Sequence, residues 1–410
     1  MKSTQLESRL LILVTLGLVA FGLVMVYSAT SASAALANGD PAYFLKRQAV
    51  YAVLGLVLMV LASRVDFRAV RRLAPLLIIV SLVLLLAVLA VGQSVNGARR
   101  WLYFGPVVFQ PSELAKLALA VWAAAYLTRR RPPRRLPELW RPLGLLTTVF
   151  CALLLAEPDL GTAIAIVLML AAMLLVAGTP VRTLGAGVSI AGALGVLAIW
   201  FEPYRRARIF SFLNPWHDAQ GAGFQTVQAM IGLGSGGIFG VGLGESVQKA
   251  NYLPEAHTDM IFAIIGEELG FVGAALVIAA YAAFAYAGLR IALACKDPFG
   301  KRLAAGLTAL VCGQAAINLS AVMGLAPLTG IPLPLVSYGG SSLVVALASV
   351  GILLNIAENG GARRASVPDR SRGDGRTRAS GARGRGSAQR TRRAGEPRRV
   401  AGARRGAARS

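Results

Sequence analysis

Apolar runs long enough to cross a bilayer recur along the whole chain, with the polar residues collected in shorter stretches between them. The runs lie near 10 to 29, 48 to 63, 74 to 92, 112 to 128, 142 to 156, 160 to 177, 184 to 201, 259 to 289, 303 to 323 and 340 to 357. About 20 residues of helix span a hydrocarbon core, so the pattern predicts an all-α polytopic membrane protein of about ten helices. Two runs are short, and the pair around Glu157-Pro158-Asp159 is separated by that turn alone.

Charge fixes the sidedness, because short cytoplasmic loops hold the Lys and Arg excess. Lys2 and Arg9, then Arg64, Arg68, Arg71 and Arg72, then the six Arg of RRRPPRRLPELWR, then Arg290, Lys296, Lys301 and Arg302 all fall on one side of a ten-span chain. Both termini are then cytoplasmic, and the long segment between helices 7 and 8, residues 202 to 258, faces out. A cleaved signal peptide competes for the first run, but its apolar stretch exceeds the roughly 7 to 15 residues of a signal core, so a retained helix is expected.

Composition agrees: 56% of the 410 residues are hydrophobic and 15% charged, which excludes an ordinary soluble domain. The net charge of +23 is uneven, with sixteen Arg after position 361 against Asp369, Asp374 and Glu396. Residues 1 to 360 read as the membrane domain. Residues 361 to 410 read as a disordered Arg-rich tail attracted to anionic headgroups of the membrane; no aromatic or folded context suggests nucleic acid. Cys151, Cys295 and Cys312 have neither disulfide nor metal spacing.

The outward side gathers the unusual residues. Arg99 and Arg100 follow Asn96, and Pro111 and Ser112 start a helix on which Glu113 and Lys116 share a face at i and i+3, as an ion pair or as a site. Asp159 suits a helix cap. Arg205, Arg206 and Arg208 suit a pyrophosphate or an anionic headgroup. The Gly-rich stretch before Ser246 implies close backbone approach. Its GxGxxG at Gly232, Gly234 and Gly237 lacks the βαβ context of a dinucleotide site, and no GxxxxGK[ST] loop occurs, so nucleotide chemistry is not indicated. Asn318 begins a glycosylation sequon inside an apolar run and is discounted. The Pro- and Gly-rich stretch from 324 to 342 implies irregular backbone at membrane depth, where Ser337, Tyr338, Ser341 and Ser342 offer hydrogen bonds. Finally, LPEAHTDMIFAIIGEELG from 253 to 270 carries His257, Asp259, Glu267 and Glu268 across a membrane boundary. On the residues alone, Asp259 reads as a helix cap, and Asp259 and Glu267, about 12 Å apart along a helix, make a poor two-carboxylate pair.

Several blocks together resemble the SEDS family (shape, elongation, division and sporulation): NGARRW at 96 to 101, QPSELAK at 110 to 116, EPDLGTA at 157 to 163, NPW at 214 to 216, GSGGIFGVGLGES at 234 to 246, PEAHTDMIFAIIGEELG at 254 to 270 and PLPLVSYGGSSL at 332 to 343. The resemblance implies ten helices with cytoplasmic termini and a peptidoglycan glycosyltransferase in the bacterial cytoplasmic membrane. Such an enzyme polymerises lipid II at the outer face, beside a class B penicillin-binding protein and other division-site membrane proteins. PEAHTD with GEELG is similar to the division branch, FtsW-like; TGIPLP at 329 to 334 is similar to RodA-like elongation members. Asp259 matches the family's essential aspartate and would act as general base on the acceptor 4-hydroxyl. Expected substrate contacts are Arg205, Arg206, Arg208, Lys116, Arg100 and Lys249, with Glu113, His257, Ser337 and Ser341. No nucleotide is required, and a divalent cation, Mg or Mn, is an optional helper at the leaving pyrophosphate. No metal-ligand set is expected in the protein itself. A lipid II flippase and a noncatalytic scaffold are the competing functions.

Overall fold

The computed structural model describes residues 4–36, 39–95, 98–105, 107–249 and 253–361. Asn96 and the Arg-rich tail lie outside the described residues. In chain order the helices are α1 (Gln5–Leu36), α2 (Tyr43–Arg64), α3 (Phe67–Val91), α4 (Pro111–Arg129), α5 (Leu136–Leu139), α6 (Leu145–Ala156), α7 (Leu160–Ala177), α8 (Val181–Trp200), α9 (Pro203–Leu213), α10 (Phe224–Ser235), α11 (Ile261–Ala294), α12 (Pro298–Val322) and α13 (Gly340–Asn359). A π turn, Trp140–Gly144, joins α5 to α6.

Nine helical stretches among the described residues are long and apolar enough to cross a membrane. The remaining expected span is α4, whose first turns carry Glu113 and Lys116. Most of α4 is buried against other helices, so it need not be apolar toward lipid. Interior helices α11, α12 and α13 pack on one another, with α12 also on α7 and α4, α11 on α1, and α2 along α13. Asp66, Asp159 and Asp297 cap α3, α7 and α12 by accepting backbone N–H bonds. Each cap stabilises its helix by about 1 kcal/mol.

Two features were absent from the helical pattern. Strands β1 (Gln93–Val95), β2 (Ala98–Phe104) and β3 (Val107–Phe109) form a small antiparallel sheet between α3 and α4. Its SV, WLYF and VVF stretches are β-branched and aromatic, the residues that suit a pleated surface. The outward segment after α8 is also not an open loop, since it folds into α9, a 3-10 turn (Pro215–Asp218) and α10.

The organising irregularity is in α11. Gly270 there has φ 65° and ψ −161°, which breaks the helix where Phe271 and Val272 would bond back to Glu267 and Glu268. The Gly-rich segment fills the break. Val241 and Gly242 donate to the carbonyls of Glu267 and Glu268 at 3.0 and 3.1 Å, and Phe271 and Val272 donate to Gly237 and Ile238 at 2.9 and 3.1 Å. All four backbone groups freed at membrane depth are thus satisfied. The acidic side chains complete the dock: Glu267 accepts from Ser246 Oγ and from Val247 N, and Glu268 holds Lys249 at 3.2 Å and Ser28 of α1 at 2.7 Å. Glycine is required at the contact, because a Cβ on Gly240, at φ +83°, would stand 2.1 Å from the Glu268 carbonyl oxygen.

The re-entrant stretch after α12 meets the same demand. Asn318 donates to Ile331 O at 2.8 Å, Gln48 to Ser337 O at 3.0 Å, Tyr281 to Pro334 O, and Leu333 N to Ser337 Oγ at 2.8 Å.

Gly240→Ala is expected to lower the thermal unfolding midpoint of the detergent-solubilised protein well beyond the roughly 0.5–1 kcal/mol scale of ordinary Gly/Ala exchanges, because it meets both a left-handed φ and backbone. An unchanged midpoint would refute the dock at the α11 break.

Candidate active site

Asp259 lies in the turn before α11, and the residue that caps that helix is Met260, with no side-chain bond. The cap expected from the residues alone is therefore not made. Among the described residues its carboxylate accepts one hydrogen bond, from Thr258 Oγ1 at 3.3 Å. The position is held through the main chain instead: Asn318 Nδ2 donates to Asp259 O at 2.7 Å while also donating to Ile331 O. Asn318, discounted as a sequon, is thus a clamp joining α12, the Asp259 turn and the re-entrant stretch.

Beside that clamp is Gly330, at φ +72°, where a Cβ would stand 3.8 Å from Arg100 Nη1, 3.9 Å from Arg208 Nη1 and 3.9 Å from Asp259 Oδ2. One carboxylate and two guanidinium groups therefore face a single small space, which any larger residue at 330 would enter. Each Arg is oriented by carbonyls. Arg100, on β2, donates to Glu157 O at 3.0 Å and to Pro158 O; Arg208, on α9, donates to Leu328 O at 3.1 Å. Arg205 is turned the other way, toward Leu155 O and Ala198 O, and ties α9 to α6 and α8. Arg206 is half-buried beside it.

Electrostatics separate the acids. Asp259 is partly exposed, yet burial among the surrounding segments, then the charge of Glu255, pushes its pKa up to about 6 against the opposing pull of Arg208. Glu157, fully buried in the α6–α7 turn, is pushed up to about 8 by burial and then by Asp159, with Arg100 opposing. Among the described residues neither of its carboxyl oxygens has a hydrogen-bond partner. His257 packs its ring against Phe44 and Tyr338 at 4.6 and 5.4 Å, and burial lowers its pKa.

The other expected contacts have partners of their own. Lys116 pairs with Glu113 at 2.8 Å, both buried, in a small cleft with Gln314 and Ser349. Lys249 is paired with Glu268. Ser341 Oγ accepts from Gln110 N at 3.2 Å, and Ser337 Oγ closes a turn of the re-entrant stretch. Sequence reasoning missed the parts played by Gly330 and Asn318 and the burial of Glu157. The available signal was a polar side chain inside an apolar run, which is costly unless used.

Residues 8–361 match the family described as cell cycle protein, that of FtsW, RodA and SpoVE. The probable peptidoglycan glycosyltransferase FtsW of Geobacter metallireducens is 41% identical over 360 residues, covering 87% of this chain and 96% of the relative. The stage V sporulation protein E of Bacillus subtilis is 40% identical, covering 85% and 96%. Among solved structures, a chain from a peptidoglycan synthase complex that coordinates polymerization and crosslinking superposes with a TM-score of 0.73 at 34% identity, covering 85% of this chain and 97% of its own. With most of its length matched by sequence and by structure, the chain belongs to the FtsW, RodA and SpoVE family of cell cycle proteins.

Proposed function

We propose that this protein is a peptidoglycan glycosyltransferase that polymerises lipid II at the outer face of the cytoplasmic membrane, with Asp259 as the general base. The observation that carries the reading is the space over Gly330, where a carboxylate that caps no helix faces Arg100 and Arg208. The names of the relatives supply the reaction class. The donor's anomeric carbon bears a pyrophosphate, so the bond that breaks is already activated and one carboxylate suffices. Asp259 takes the proton from the acceptor 4-hydroxyl as that oxygen attacks with inversion. A carboxylate poised near pH 6 is a stronger base than an ordinary one and still ionised at neutral pH.

Arg100 and Arg208 face the charge that gathers on the leaving pyrophosphate. Lys116 and Lys249, each paired with a buried carboxylate, serve the fold in this reading. Among the described residues no group of three His, Cys, Asp or Glu side chains gathers, so a divalent cation would take its ligands mainly from phosphate and water. A class B penicillin-binding protein is the proposed partner, supported by the synthase complex to which the solved neighbour belongs, and the division site is the proposed location. The flippase reading is disfavoured because Glu267 and Glu268 are occupied in docking rather than lining a path.

Asp259→Asn is expected to reduce polymerisation of purified lipid II, assayed with the partner, by roughly 100-fold or more, the scale of general-base catalysis, with an unchanged unfolding midpoint. Full activity in this variant would sink the mechanism. The rate should also fall on the acid side with an apparent pKa near 6. Because the like charge of Glu255 raises that value, Glu255→Gln should move the acid limb to lower pH, and a limb that stays in place or moves upward would count against Asp259 as the titrating base.

A further inference from the structure

Helix α8 is the least buried of the spanning helices, with 6% of its apolar window inside the protein against 56% for α7. A Cβ on Gly185, Gly192 or Gly195 would meet nothing within 4 Å. Between α8 and the α5–α6 and α7 wall lies an apolar cavity of about 540 Å³, bounded by Leu139, Trp140, Leu170, Leu174, Val188 and Leu194. Such a volume is in the range of ligand sites. The wall comes from α5, the start of α6, the second half of α7 and residues 184 to 194 of α8, which places the cavity toward the cytoplasmic side of the membrane if the Arg-rich ends are cytoplasmic.

The rim is charged to match. Residues 129 to 141 hold six Arg and one Glu, and Arg182 opens α8. Thr183 Oγ1 donates to Arg134 O at 2.6 Å, joining the start of α8 to the Arg-rich loop. Arg141, non-helical at φ −113° and ψ 122° inside the π turn, belongs to the cavity wall. All these Arg are exposed. Elsewhere on this side Arg68 and Arg290 have acidic partners, Asp66 and Asp297 for the first and Glu7 for the second. Among the described residues the rim Arg have no salt bridge.

An apolar slot whose wall includes Arg141, with the exposed Arg134 and Arg135 immediately before the wall residues Leu136 and Pro137, is complementary to an amphiphile with an anionic head. We propose that the slot between α8 and the α5–α7 wall binds an anionic phospholipid of the cytoplasmic leaflet, with an acyl chain in the cavity and the phosphate on Arg134, Arg135 and Arg141. The lipid-linked substrate of the proposed reaction is a different ligand, since its pyrophosphate would lie at the opposite end of the helices beside Asp259. The bound phospholipid packs the side of α8 that protein leaves open. Because α8 runs directly into α9, which carries Arg205 and Arg208, that packing also supports the outward site.

The test uses the full chain in detergent, offered equal phosphatidylglycerol and phosphatidylcholine, with retained lipids counted by native mass spectrometry. Wild type should prefer phosphatidylglycerol by roughly 100-fold, the product of about a fivefold gain from each of the three Arg near the membrane surface. Two variants probe the two halves of the site: Arg134→Gln with Arg135→Gln and Arg141→Gln removes charge, and Ala171→Phe with Ala191→Phe, at two small residues of the cavity wall on α7 and α8, fills the cavity. All three proteins keep the Arg-rich C-terminal residues, so any preference these confer is common to all three, and loss or survival refers to the difference between wild type and variant. Loss of the preference in both variants supports the site. Equal retention of the two lipids by wild type overturns it, as does a preference that survives either variant: survival after filling means surface attraction without the slot, and survival after charge removal means an acyl groove without a headgroup site.

Discussion

A backbone polar group inside a bilayer has no water to turn to, and this constraint shapes the protein more than any single side chain. Breaking α11 at Gly270 frees two carbonyls and two N–H groups, and the 237–242 segment supplies a partner for each. The consequence is geometric. Once that segment is docked, the chain leaves it through Ser246 and Lys249, bound by Glu267 and Glu268, and returns through the turn that carries Asp259. The re-entrant stretch is held to the same turn by Asn318 and by Tyr338 N donating to His257 O at 2.9 Å. Two irregular segments, each satisfied internally, thus converge on one carboxylate.

The charges around that carboxylate are unequal by design of the fold. Arg100 reaches Glu157 but takes its main-chain carbonyl, leaving the carboxyl buried, unpartnered and raised toward neutrality. Arg208 likewise meets a carbonyl. Two guanidinium groups and one carboxylate thus meet at the space over Gly330, an arrangement that suits a pyrophosphate entering it. The buried pairs Glu113–Lys116 and Glu268–Lys249 follow the opposite rule: each neutralises itself, and removal of one partner would leave an uncompensated buried charge costing about 3–5 kcal/mol.

The spans were legible because hydropathy is a local property of the chain. Asp259 was legible as a boundary carboxylate, although its use as a cap was the wrong local inference: Met260 takes that place and the carboxylate is left to face the Arg pair. The three-Arg cluster could be seen in the sequence but not divided, since only tertiary packing sends Arg205 to the carbonyls of α6 and α8 and Arg208 toward Gly330. The ion pair of Glu113 and Lys116 was legible from their i,i+3 spacing, whereas the acidic partner of Lys249 was not, because Glu268 lies nineteen positions away. The sheet of β1–β3 was hidden because its strands are three to seven residues long, too short for a period-2 signal to stand out beside neighbouring helices.

The TGIPLP wording, similar to elongation members, has a physical explanation independent of branch. Gly330 provides the left-handed φ and the absence of a side chain over which Arg100, Arg208 and Asp259 meet. A Cβ on Gly161, in EPDLGTA, would stand 2.5 Å from Ile331 Cγ1, so Ile331 and Gly161 are matched in size. Pro334 presents its carbonyl to Tyr281. The stretch is constrained by the floor of the site, by α7 and by α11 at once, so its wording answers to the fold of this site rather than to a branch. Residues that distinguish division from elongation should therefore be sought where partner proteins touch the chain, away from this floor.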